Sequence, residues 1–557
     1  MAEITFYPDN KSIVVPDGTT ILQAARLTGV IIESPCNGVG TCGKCKVRID
    51  KGSLQYIESS GRHHLSAEEE AQGFVLSCEA KVYREVNVHI LPKQRNDTLK
   101  ILSKGQSFEI QVSPHIRKEY DGQENVTWVL SGDSILGIEE GDTSTLNYGV
   151  VVDIGTTTLV TTLVNLNDGA ELETESSLNP QAVHAQDVLS RIKFASDEKG
   201  LEVMYLELIK ELSRMIGEIS QKSGVLRENI YEIVFSGNTC MLHLASNTNP
   251  ESLGKYPYTP KIDTATYLKA SDHALEISRF GLIYLPPIIS AYVGADITSG
   301  VLASSLHKTS GITLFVDIGT NGEMVIGFDG RLSATSTAAG PAFEGMNITQ
   351  GMRAGEGAIE AFEIDETGDV KIKVIGQAKA AGICGSGLLD IVGELVAHGI
   401  INKNGKFVET KSENIAPGLN QRLVKRDGKL AFQVSDEVFL SQKDVRQVQL
   451  AKGAVRAGIE FLMKSKGVEA QEVDKVLIAG SFGYHLRAKS LINIGLLPQE
   501  FSGKIDFIGN TSKSGGQALL LNESYRTQMD KIVKDIEVLE LANYQDFDNV
   551  FVKCLNF

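Results

Sequence analysis

The chain has 557 residues and a formal net charge of −16. This length exceeds one ordinary hydrophobic core, so we expect two to four domains. The acidic balance, without a dense Lys/Arg stripe, argues against a nucleic-acid partner. No apolar run reaches the length of a membrane span, and the first residues, Met1-Ala2-Glu3-Ile4, lack a basic and apolar secretion signal. We therefore predict a cytoplasmic protein without a membrane partner.

The first ninety residues combine short strands with two helices. Alternating and turn residues predict strands at 4–7, 12–15 and 86–90 and a helix over about 20–28 that Gly29 ends. Ser66-x-x-Glu69 has the pattern of a capping box and predicts a second helix start before Cys78.

Four of the seven cysteines are clustered in this region. Cys36, Cys42 and Cys45 lie in a glycine-dense loop, and Cys78 follows. Such clustering indicates a metal site rather than disulfides, and four thiolates are the number that a 2Fe-2S cluster requires. A zinc site is the alternative, but zinc sites usually pair two C-x2-C halves and this chain has one here.

With these motifs, residues 1–92 resemble the single-cluster ferredoxins, which implies a β-grasp fold with a 2Fe-2S cluster on Cys36, Cys42, Cys45 and Cys78. The five-residue first gap departs from the plant-type spacing of four and is more similar to ferredoxins that serve oxygenases. Gly38-x-Gly40-x-x-Gly43 also matches a dinucleotide fingerprint, but it does not join a hydrophobic strand to an amphipathic helix, so we reject that interpretation.

A polar linker and a small β-rich segment follow, over residues 93–147. Alternating runs at 108–112 and 126–130 predict strands, with too few apolar residues for an independent core. We expect this segment to pack against a neighbouring domain or a second subunit. Trp128, the only tryptophan, is predicted to serve packing.

Two similar hairpin sequences carry the next signal. Residues 151–157 read Val-Val-Asp-Ile-Gly-Thr-Thr and residues 315–321 read Phe-Val-Asp-Ile-Gly-Thr-Asn, with their aspartates 164 residues apart. Glycine lets backbone N–H groups approach a phosphate, threonine adds hydroxyl donors, and aspartate can hold hydrated Mg2+ or orient water. The pair predicts two related half-domains with the site residues Asp153, Gly155, Thr156, Thr157, Asp317, Gly319, Thr320 and Asn321.

Further glycine loops recur among alternating strands and helices, which indicates an α/β fold. Gly294 and the run 514–518 are predicted helix junctions, and Gly385-Ser386 opens a helix whose N-terminal amides could face an anion. The strand 476–479 leads into Gly480-Ser481-Phe482-Gly483, where small residues could admit a nucleoside.

In this order the loops resemble the ATPase superfamily of acetate and sugar kinases, heat-shock ATPases and actin. The resemblance implies a duplicated ribonuclease-H-like fold with halves at 148–308 and 309–557, binding ATP and Mg2+ between them. By likeness to the heat-shock branch, Gln449 and Lys452, which we predict to be exposed on a helix over about 441–464, could contact the nucleoside; a plain solvated face is the alternative.

The combination, with Asn179-Pro180-Gln181, Ser236-Gly237-Asn238-Thr239 and the loops 340–345 and 382–387, resembles the reductive activators of corrinoid-dependent methyltransferases and corrinoid iron-sulfur proteins. The resemblance implies an ATP-hydrolysing activator that accepts an electron from a low-potential donor and reduces the cob(II)alamin of a corrinoid protein to cob(I)alamin. It also suggests a homodimer. Ser336, in a hydroxyl-rich strand beside the second hairpin, is a candidate partner contact.

Three alternatives remain open at this stage. Activators of 2-hydroxyacyl-CoA dehydratases use the same ATPase fold, but with a 4Fe-4S cluster shared between subunits. A small-molecule kinase with a redox domain would accumulate a phosphorylated product. A non-catalytic ATP-dependent binding module would still release its partner after Cys42→Ser.

Overall fold

A computed structural model describes residues 1–8, 10–28, 30, 32, 45–59, 65–90, 99–103, 106–185, 187–345, 347–352, 354–376, 378–408, 415–426, 428–480 and 486–557. The N-terminal domain consists of β1 (Ala2–Tyr7), β2 (Lys11–Val15), β3 (Thr19–Thr20), α1 (Ile21–Leu27), β4 (Lys46–Ile49), β5 (Ile57–Glu58), α2 (Ala67–Ala71), β6 (Phe74–Leu76), β7 (Lys81–Val82) and β8 (Val86–His89).

The N-terminal domain is a mixed sheet covered by a helix, as the sequence predicted. The strand order is β2-β1-β8-β4-β6, and β1 pairs with β8 in parallel. Ile21, Leu22 and Ala25 of α1 are buried with alternate residues of the strands, because one face of each strand lies against this helix. The predicted capping box at Ser66 is confirmed by both of its hydrogen bonds with Glu69.

The next segment contains β9 (Leu99–Ser103), β10 (Gln106–Ile110), β11 (Ile116–Asp121), β12 (Val126–Ser131) and β13 (Ser134–Glu140). Ile116 and Val129 are fully buried in a core shared with the C-terminal region. Lys118 Nζ lies 2.7 Å from Glu139 and also donates to the Tyr231 hydroxyl of that region. The expectation that this segment packs against a neighbour is therefore confirmed, and Trp128 is partly buried opposite Ile138.

The C-terminal region has two halves. The first contains β14 (Tyr148–Ile154), β15 (Thr158–Asn165), β16 (Glu171–Leu178), α3 (Val188–Phe194), α4 (Glu198–Ser223), β17 (Ile230–Gly237), α5 (Thr239–Ala245), β18 (Thr266–Lys269), β19 (Leu282–Leu285) and α6 (Ala295–Ala303).

The second half contains β20 (Ile312–Ile318), β21 (Gly322–Phe328), β22 (Arg331–Thr337), β23 (Ala358–Ile364), β24 (Val370–Val374), β25 (Gly382–Ile383), α7 (Gly385–Ala397), α8 (Pro417–Gln421), β26 (Leu423–Arg426), β27 (Lys429–Gln433), β28 (Phe439–Ser441), α9 (Gln442–Ser465), β29 (Lys475–Ala479), α10 (Ala488–Asn493), β30 (Ile505–Gly509), α11 (Thr511–Leu521), α12 (Ser524–Asp535), β31 (Ile536–Val538) and α13 (Phe547–Cys554).

The two halves repeat one sheet topology. The first sheet has the order β16-β15-β14-β17-β19-β18 and the second β30-β29-β20-β21-β22-β31. In each, a hairpin continues into a third antiparallel strand, and a later strand pairs in parallel with the first strand of the hairpin: β17 with β14, and β29 with β20. This is the duplicated α/β arrangement that the sequence predicted.

Two helices pack against each other where the halves meet. They are α6, which Gly294 precedes as predicted, and α11. The approach is close, because a Cβ at Gly515 would lie 2.2 Å from the Ser299 carbonyl oxygen. The N-terminal residues of both helices therefore reach the same cleft between the halves.

Candidate functional site

The candidate site is the cleft between the two hairpin turns. It is lined by Asp153, Gly155, Thr156, Thr157, Thr158, Val160, Asn238, Asp296, Asp317, Ile318, Gly319, Thr320, Asn321, Glu323, Glu344, Gly480, Asn510 and Ser512. All eight residues that the sequence predicted on the hairpins belong to this set. The duplicated topology explains this, because equivalent turns from the two sheets meet at one cleft.

The two turns touch each other. The Thr157 and Thr320 hydroxyls lie 3.2 Å apart, and Thr320 also donates to Glu344 at 2.6 Å. The first turn is closed by a hydrogen bond from Gly155 N–H to the Thr158 carbonyl at 3.0 Å. A Cβ at Gly155 would lie 2.5 Å from that carbonyl oxygen, so the turn requires glycine.

Asp153 is held by neutral donors from the other half. Asn510 Nδ2 donates to one carboxylate oxygen at 2.7 Å and the Ser512 hydroxyl donates to the other at 2.8 Å. Desolvation raises the pKa of Asp153, and these two hydrogen bonds oppose the rise. Its charge is thus partly compensated within the protein.

Asp317 has a different environment. Desolvation raises the pKa of Asp317 to about 8, and the nearby charges of Asp296 and Asp153 add to the rise. Desolvation also raises the pKa of Asp296 to about 7 and that of Glu323 well above its ordinary value. The second turn therefore faces a cluster of carboxyl groups whose ionisation a bound cation would favour.

Sequence reasoning did not select Asp296 or Glu323 as site residues. Each stands next to a selected motif: Asp296 follows the Gly294 junction, and Glu323 follows Asn321 at the start of β21. Their proximity to Asp317 depends on the packing of α6 and on strand register. Only the position of an acidic residue beside a glycine turn could have suggested them.

Of the predicted nucleoside loop 480–483, the structure describes Gly480. Gly480 lines the cleft in the left-handed region, with φ of 121°, and a Cβ there would lie 2.5 Å from the Ile318 carbonyl oxygen. The equivalent residue of the first half, Gly237, makes the same close approach to Ile154. The predicted residues Ser481, Phe482 and Gly483 lie outside the described residues.

The helix opening at Gly385-Ser386 packs within the second half. The Ser386 hydroxyl donates to the Glu360 carbonyl at 2.8 Å, and a Cβ at Gly385 would lie 1.8 Å from the Phe343 carbonyl oxygen. Both residues are buried against these strand and loop carbonyls. The structure does not bring them to the lining of the cleft, and their role in binding remains a prediction.

The predicted exposure of Gln449 and Lys452 is wrong. Both are buried on α9, with exposed fractions of 3% and 1%, because the end of the chain covers them. Gln449 Nε2 donates to the Leu555 carbonyl at 3.0 Å, and Lys452 Nζ donates to the Asn556 carbonyl. Since these polar groups are used within the chain, the structure gives no support to a direct contact with a nucleoside.

Ser336 lies on β22 directly opposite Glu323 of β21. Residues opposite each other on antiparallel strands project from the same face of a sheet, so Ser336 is on the face that carries Glu323. It is partly exposed. No described contact tests its predicted role toward a partner.

Two of the four predicted cluster ligands are described. Cys45 Sγ and Cys78 Sγ lie 3.2 Å apart; Cys45 directly precedes β4 and Cys78 follows β6. Thiolates this close could bind the same iron, so the described residues fit a 2Fe-2S cluster. Cys36 and Cys42 lie outside the described residues. Among the described residues, none of the His, Cys, Asp and Glu side chains form a group of three suited to a metal ion.

A ferredoxin-like domain with paired thiols, joined to a duplicated actin-like ATPase fold with an acidic cleft, defines the class: an iron-sulfur protein that carries its own ATPase. Among the described residues, no helix is both long and apolar enough to span a membrane.

Comparison with known proteins identifies the family. Residues 4–83 match the 2Fe-2S iron-sulfur cluster binding domain, residues 148–309 the RACo middle region, and residues 311–557 the C-terminal domain of RACo, the ASKHA domain. The corrinoid activation enzyme RamQ of Eubacterium limosum is 30% identical over 97% of both chains. The chain belongs to the RACo family of reductive activators of corrinoid proteins.

Two further similar proteins are consistent with this family. The [Co(II) methylated amine-specific corrinoid protein] reductase of Methanosarcina barkeri is 25% identical over 74% of this chain and 77% of its own. A solved structure, the reductive activator for corrinoid, iron-sulfur protein, is 30% identical with a TM-score of 0.75 and covers 100% of this chain and 98% of its own.

Proposed function

We propose that the protein is an ATP-dependent reductive activator that passes one electron from its 2Fe-2S cluster to the cob(II)alamin of a corrinoid protein, which restores cob(I)alamin. The observation that carries the proposal is the pairing of a cluster domain with an ATPase cleft in a chain alignable end to end with a corrinoid activation enzyme. A low-potential protein donor would reduce the cluster again after each transfer.

An unfavourable difference in reduction potential between the cluster and cob(II)alamin would explain why ATP is needed. A plant-type 2Fe-2S centre has a potential of about −400 mV. For one electron, each 59 mV of unfavourable difference lowers the equilibrium constant about tenfold. Hydrolysis coupled to movement of the two halves would favour the reduced corrinoid by changing how the partner is docked and released.

The division of roles in the cleft follows from its chemistry. Backbone and hydroxyl donors of the turns at Gly155–Thr157 and Gly319–Asn321 would hold the phosphates. Asp153 and Asp317 would orient water or the hydrated cation. The raised pKa values of Asp317 and Asp296 support a magnesium ion that arrives with the nucleotide, because a bound cation favours the ionised carboxylates that burial and mutual repulsion disfavour.

A homodimer is part of the proposal. The face of the sheet β11–β13 that carries Trp128 leaves two large apolar side chains exposed, namely Ile135 and Ile138 at 61% and 43%. Such a patch is typical of an interaction surface. We also keep Ser336 as a candidate contact with the corrinoid partner; a Ser336→Ala variant whose partner complex has an unchanged cobalt spectrum would exclude a cobalt ligand at this position.

The test is a reconstitution in solution. The reduced protein is mixed with a corrinoid protein loaded with cob(II)alamin, and the visible spectrum is followed with ATP, with ADP and without nucleotide. We expect cob(I)alamin to accumulate only with ATP. The corrinoid proteins tested should include corrinoid subunits of methyltransferases as well as corrinoid iron-sulfur proteins. Absence of the cob(I)alamin signal with all of them would refute the proposal.

Asp317→Ala tests the assignment of the cleft. We expect the variant to lose ATP-dependent activation and to keep the wild-type 2Fe-2S spectrum, because the substitution is in the ATPase fold. Activation at the wild-type rate would contradict the role of Asp317. Accumulation of a phosphorylated small molecule by the wild type would instead favour the kinase alternative.

A further inference from the structure

The turn of the first hairpin is held from behind by buried polar groups. Asn179 Nδ2 donates to the Gly155 carbonyl at 2.9 Å, and Asn179 N–H donates to the Thr157 carbonyl at 2.9 Å. Between them, Arg191 Nη2 donates to the Thr156 carbonyl at 2.5 Å. Three consecutive carbonyls of the turn thus point toward one support, made of Asn179 and Arg191.

This arrangement fixes the direction of the N–H groups. In a trans peptide unit the C=O and the following N–H point in opposite directions. When Asn179 and Arg191 hold the carbonyls of Gly155 and Thr156, the N–H groups of Thr156 and Thr157 are directed away from the support. Both threonines line the cleft, whereas Asn179 and Arg191 are buried, with 1% and 0% of their surface exposed. These N–H groups therefore face the cleft.

Arg191 also brings a positive charge. Among the described residues its acceptors are neutral: besides Thr156, they are Gln181 Oε1 at 3.0 Å, the Ala185 carbonyl at 3.1 Å and Met241 Sδ at 3.0 Å. Burial lowers the pKa of Arg191 to about 10, so the guanidinium remains charged at neutral pH. The nearby charges of Asp187 and Glu344 favour the charged guanidinium, but neither carboxylate is among these hydrogen-bond acceptors. A buried cation held by neutral acceptors is costly in an empty protein and is stabilised when an anion binds nearby.

We propose that Arg191 is a positioning residue for the ATP phosphates: it orients the Thr156–Thr157 peptide toward the cleft and supplies a buried positive charge behind the turn. The inference rests on the proposed ATP cleft and adds a residue that does not itself touch the nucleotide. Asn179 and Gln181 complete this hydrogen-bonded support. Asn179 holds the carbonyls of Gly155 and Thr157, and Gln181 accepts a hydrogen bond from Arg191 Nη1.

The chain offers a matched control in Arg526. This arginine is also buried, at 7% exposure, but it forms an ion pair with Glu232 at 2.8 Å and donates to the Leu519 carbonyl. It does not line the cleft. Arg526→Met and Arg191→Met remove the same groups from two buried sites, so a comparison separates loss of folding stability from loss of phosphate positioning.

The test measures ATP binding by calorimetric titration of the full chain, and thermal unfolding without nucleotide. We expect Arg191→Met to weaken ATP binding by about 10- to 100-fold, the effect of losing a charged hydrogen-bonding group. Arg191→Lys should bind ATP with intermediate affinity, since it keeps the charge but cannot make all the bonds of the guanidinium. Arg526→Met should lower the melting temperature and bind ATP as the wild type does.

The outcomes are distinguishable. If wild type and Arg526→Met bind ATP, and folded Arg191→Met binds it within about 2-fold of wild type, the positioning role is wrong while the proposed function stands. If the wild type does not bind ATP, the positioning role of Arg191 and the proposed function are both wrong. Should Arg191→Met not fold, Gln181→Leu gives the same test, because it removes one acceptor of the guanidinium and leaves Arg191 in place; unchanged ATP affinity would again overturn the inference.

Discussion

At the scale of single residues, the two hairpin aspartates occupy equivalent positions but have different surroundings. Asp153 accepts hydrogen bonds from Asn510 and Ser512, whereas Asp317 shares its part of the cleft with Asp296 and Glu323. The α11 position that carries Ser512 in one half corresponds to the α6 position of Asp296 in the other. Two differences between the helix starts, Asn510 in place of Gly294 and Ser512 in place of Asp296, thus leave the charge of Asp153 partly compensated and the Asp317 side of the cleft rich in carboxyl groups.

The raised pKa of Asp317 implies a stability that depends on pH. Because the folded state keeps a proton on Asp317 up to about pH 8 and the unfolded state loses it near pH 4, stability without nucleotide should fall as pH rises through this window. We expect Asp317→Asn to remove this loss and to stabilise the protein at pH 8 by on the order of 1–3 kcal/mol, with the gain vanishing toward pH 4. Thermal unfolding of both proteins at several pH values measures this difference in stability.

The control for this prediction is Asp153→Asn. Asn510 and Ser512 donate to the Asp153 carboxylate, and an amide offers them only one acceptor oxygen, so this variant should not be stabilised at pH 8. If Asp317→Asn and the wild type were equally stable at pH 8, burial and the neighbouring carboxylates would not destabilise the ionised Asp317 side chain.

At the scale of elements, the contact between α6 and α11 sets the geometry of the cleft. The two helices approach closely at Gly515, and each brings polar residues to the cleft from its N-terminal end: Asp296 on α6, and Asn510 and Ser512 on α11. Small residues allow this approach because a side chain at the crossing point would occupy the space of the Ser299 backbone.

We expect Gly515→Ala to separate the helices and to lower ATP-dependent activation by at least about 10-fold, since displacements of about 1 Å in a reacting geometry can cost up to about 100-fold. The rate of cob(I)alamin formation and of ATP hydrolysis measures the effect. Gly418→Ala is the matched control, because this exposed helical glycine has open space around its Cα and should leave both rates unchanged. A wild-type rate in Gly515→Ala would mean that the helix spacing is not critical.

At the scale of the whole molecule, the cluster thiols and the proposed ATP cleft belong to separate domains, so we expect that each can be disabled alone. Cys78→Ser removes a thiol that lies 3.2 Å from Cys45. We expect it to lose the 2Fe-2S absorption and all electron transfer, while ATP affinity changes by less than about 2-fold. Cys554→Ser, on α13, should keep both properties. Loss of ATP binding in folded Cys78→Ser would indicate that the cluster domain contributes to the cleft.

Local chemistry made much of this molecule predictable. The β-branched runs and turn glycines predict the hairpins through neighbours in sequence, and the clustered cysteines carry the resemblance that implies the ferredoxin fold. Asp296 and Glu323 could not be selected in this way, because long-range packing brings them to Asp317. Similarly, α9 agrees with the predicted helix over about 441–464, but nothing local reveals that residues 555–557 cover Gln449 and Lys452. In the sequence Arg191 is an ordinary helical residue, and only the structure reveals its contacts with the turn.

The hydrogen bond between Thr157 and Thr320 joins residues from opposite halves at 3.2 Å. In the proposed function, a phosphate group that inserts between the two turns would break this bond and take over both hydroxyls. The measured affinity for ATP is then the intrinsic affinity reduced by the fraction of molecules in which the turns are apart. A Thr320→Val variant, which cannot form the bond, would both gain from easier opening and lose a phosphate donor, so nucleotide association should become faster even where equilibrium binding becomes weaker.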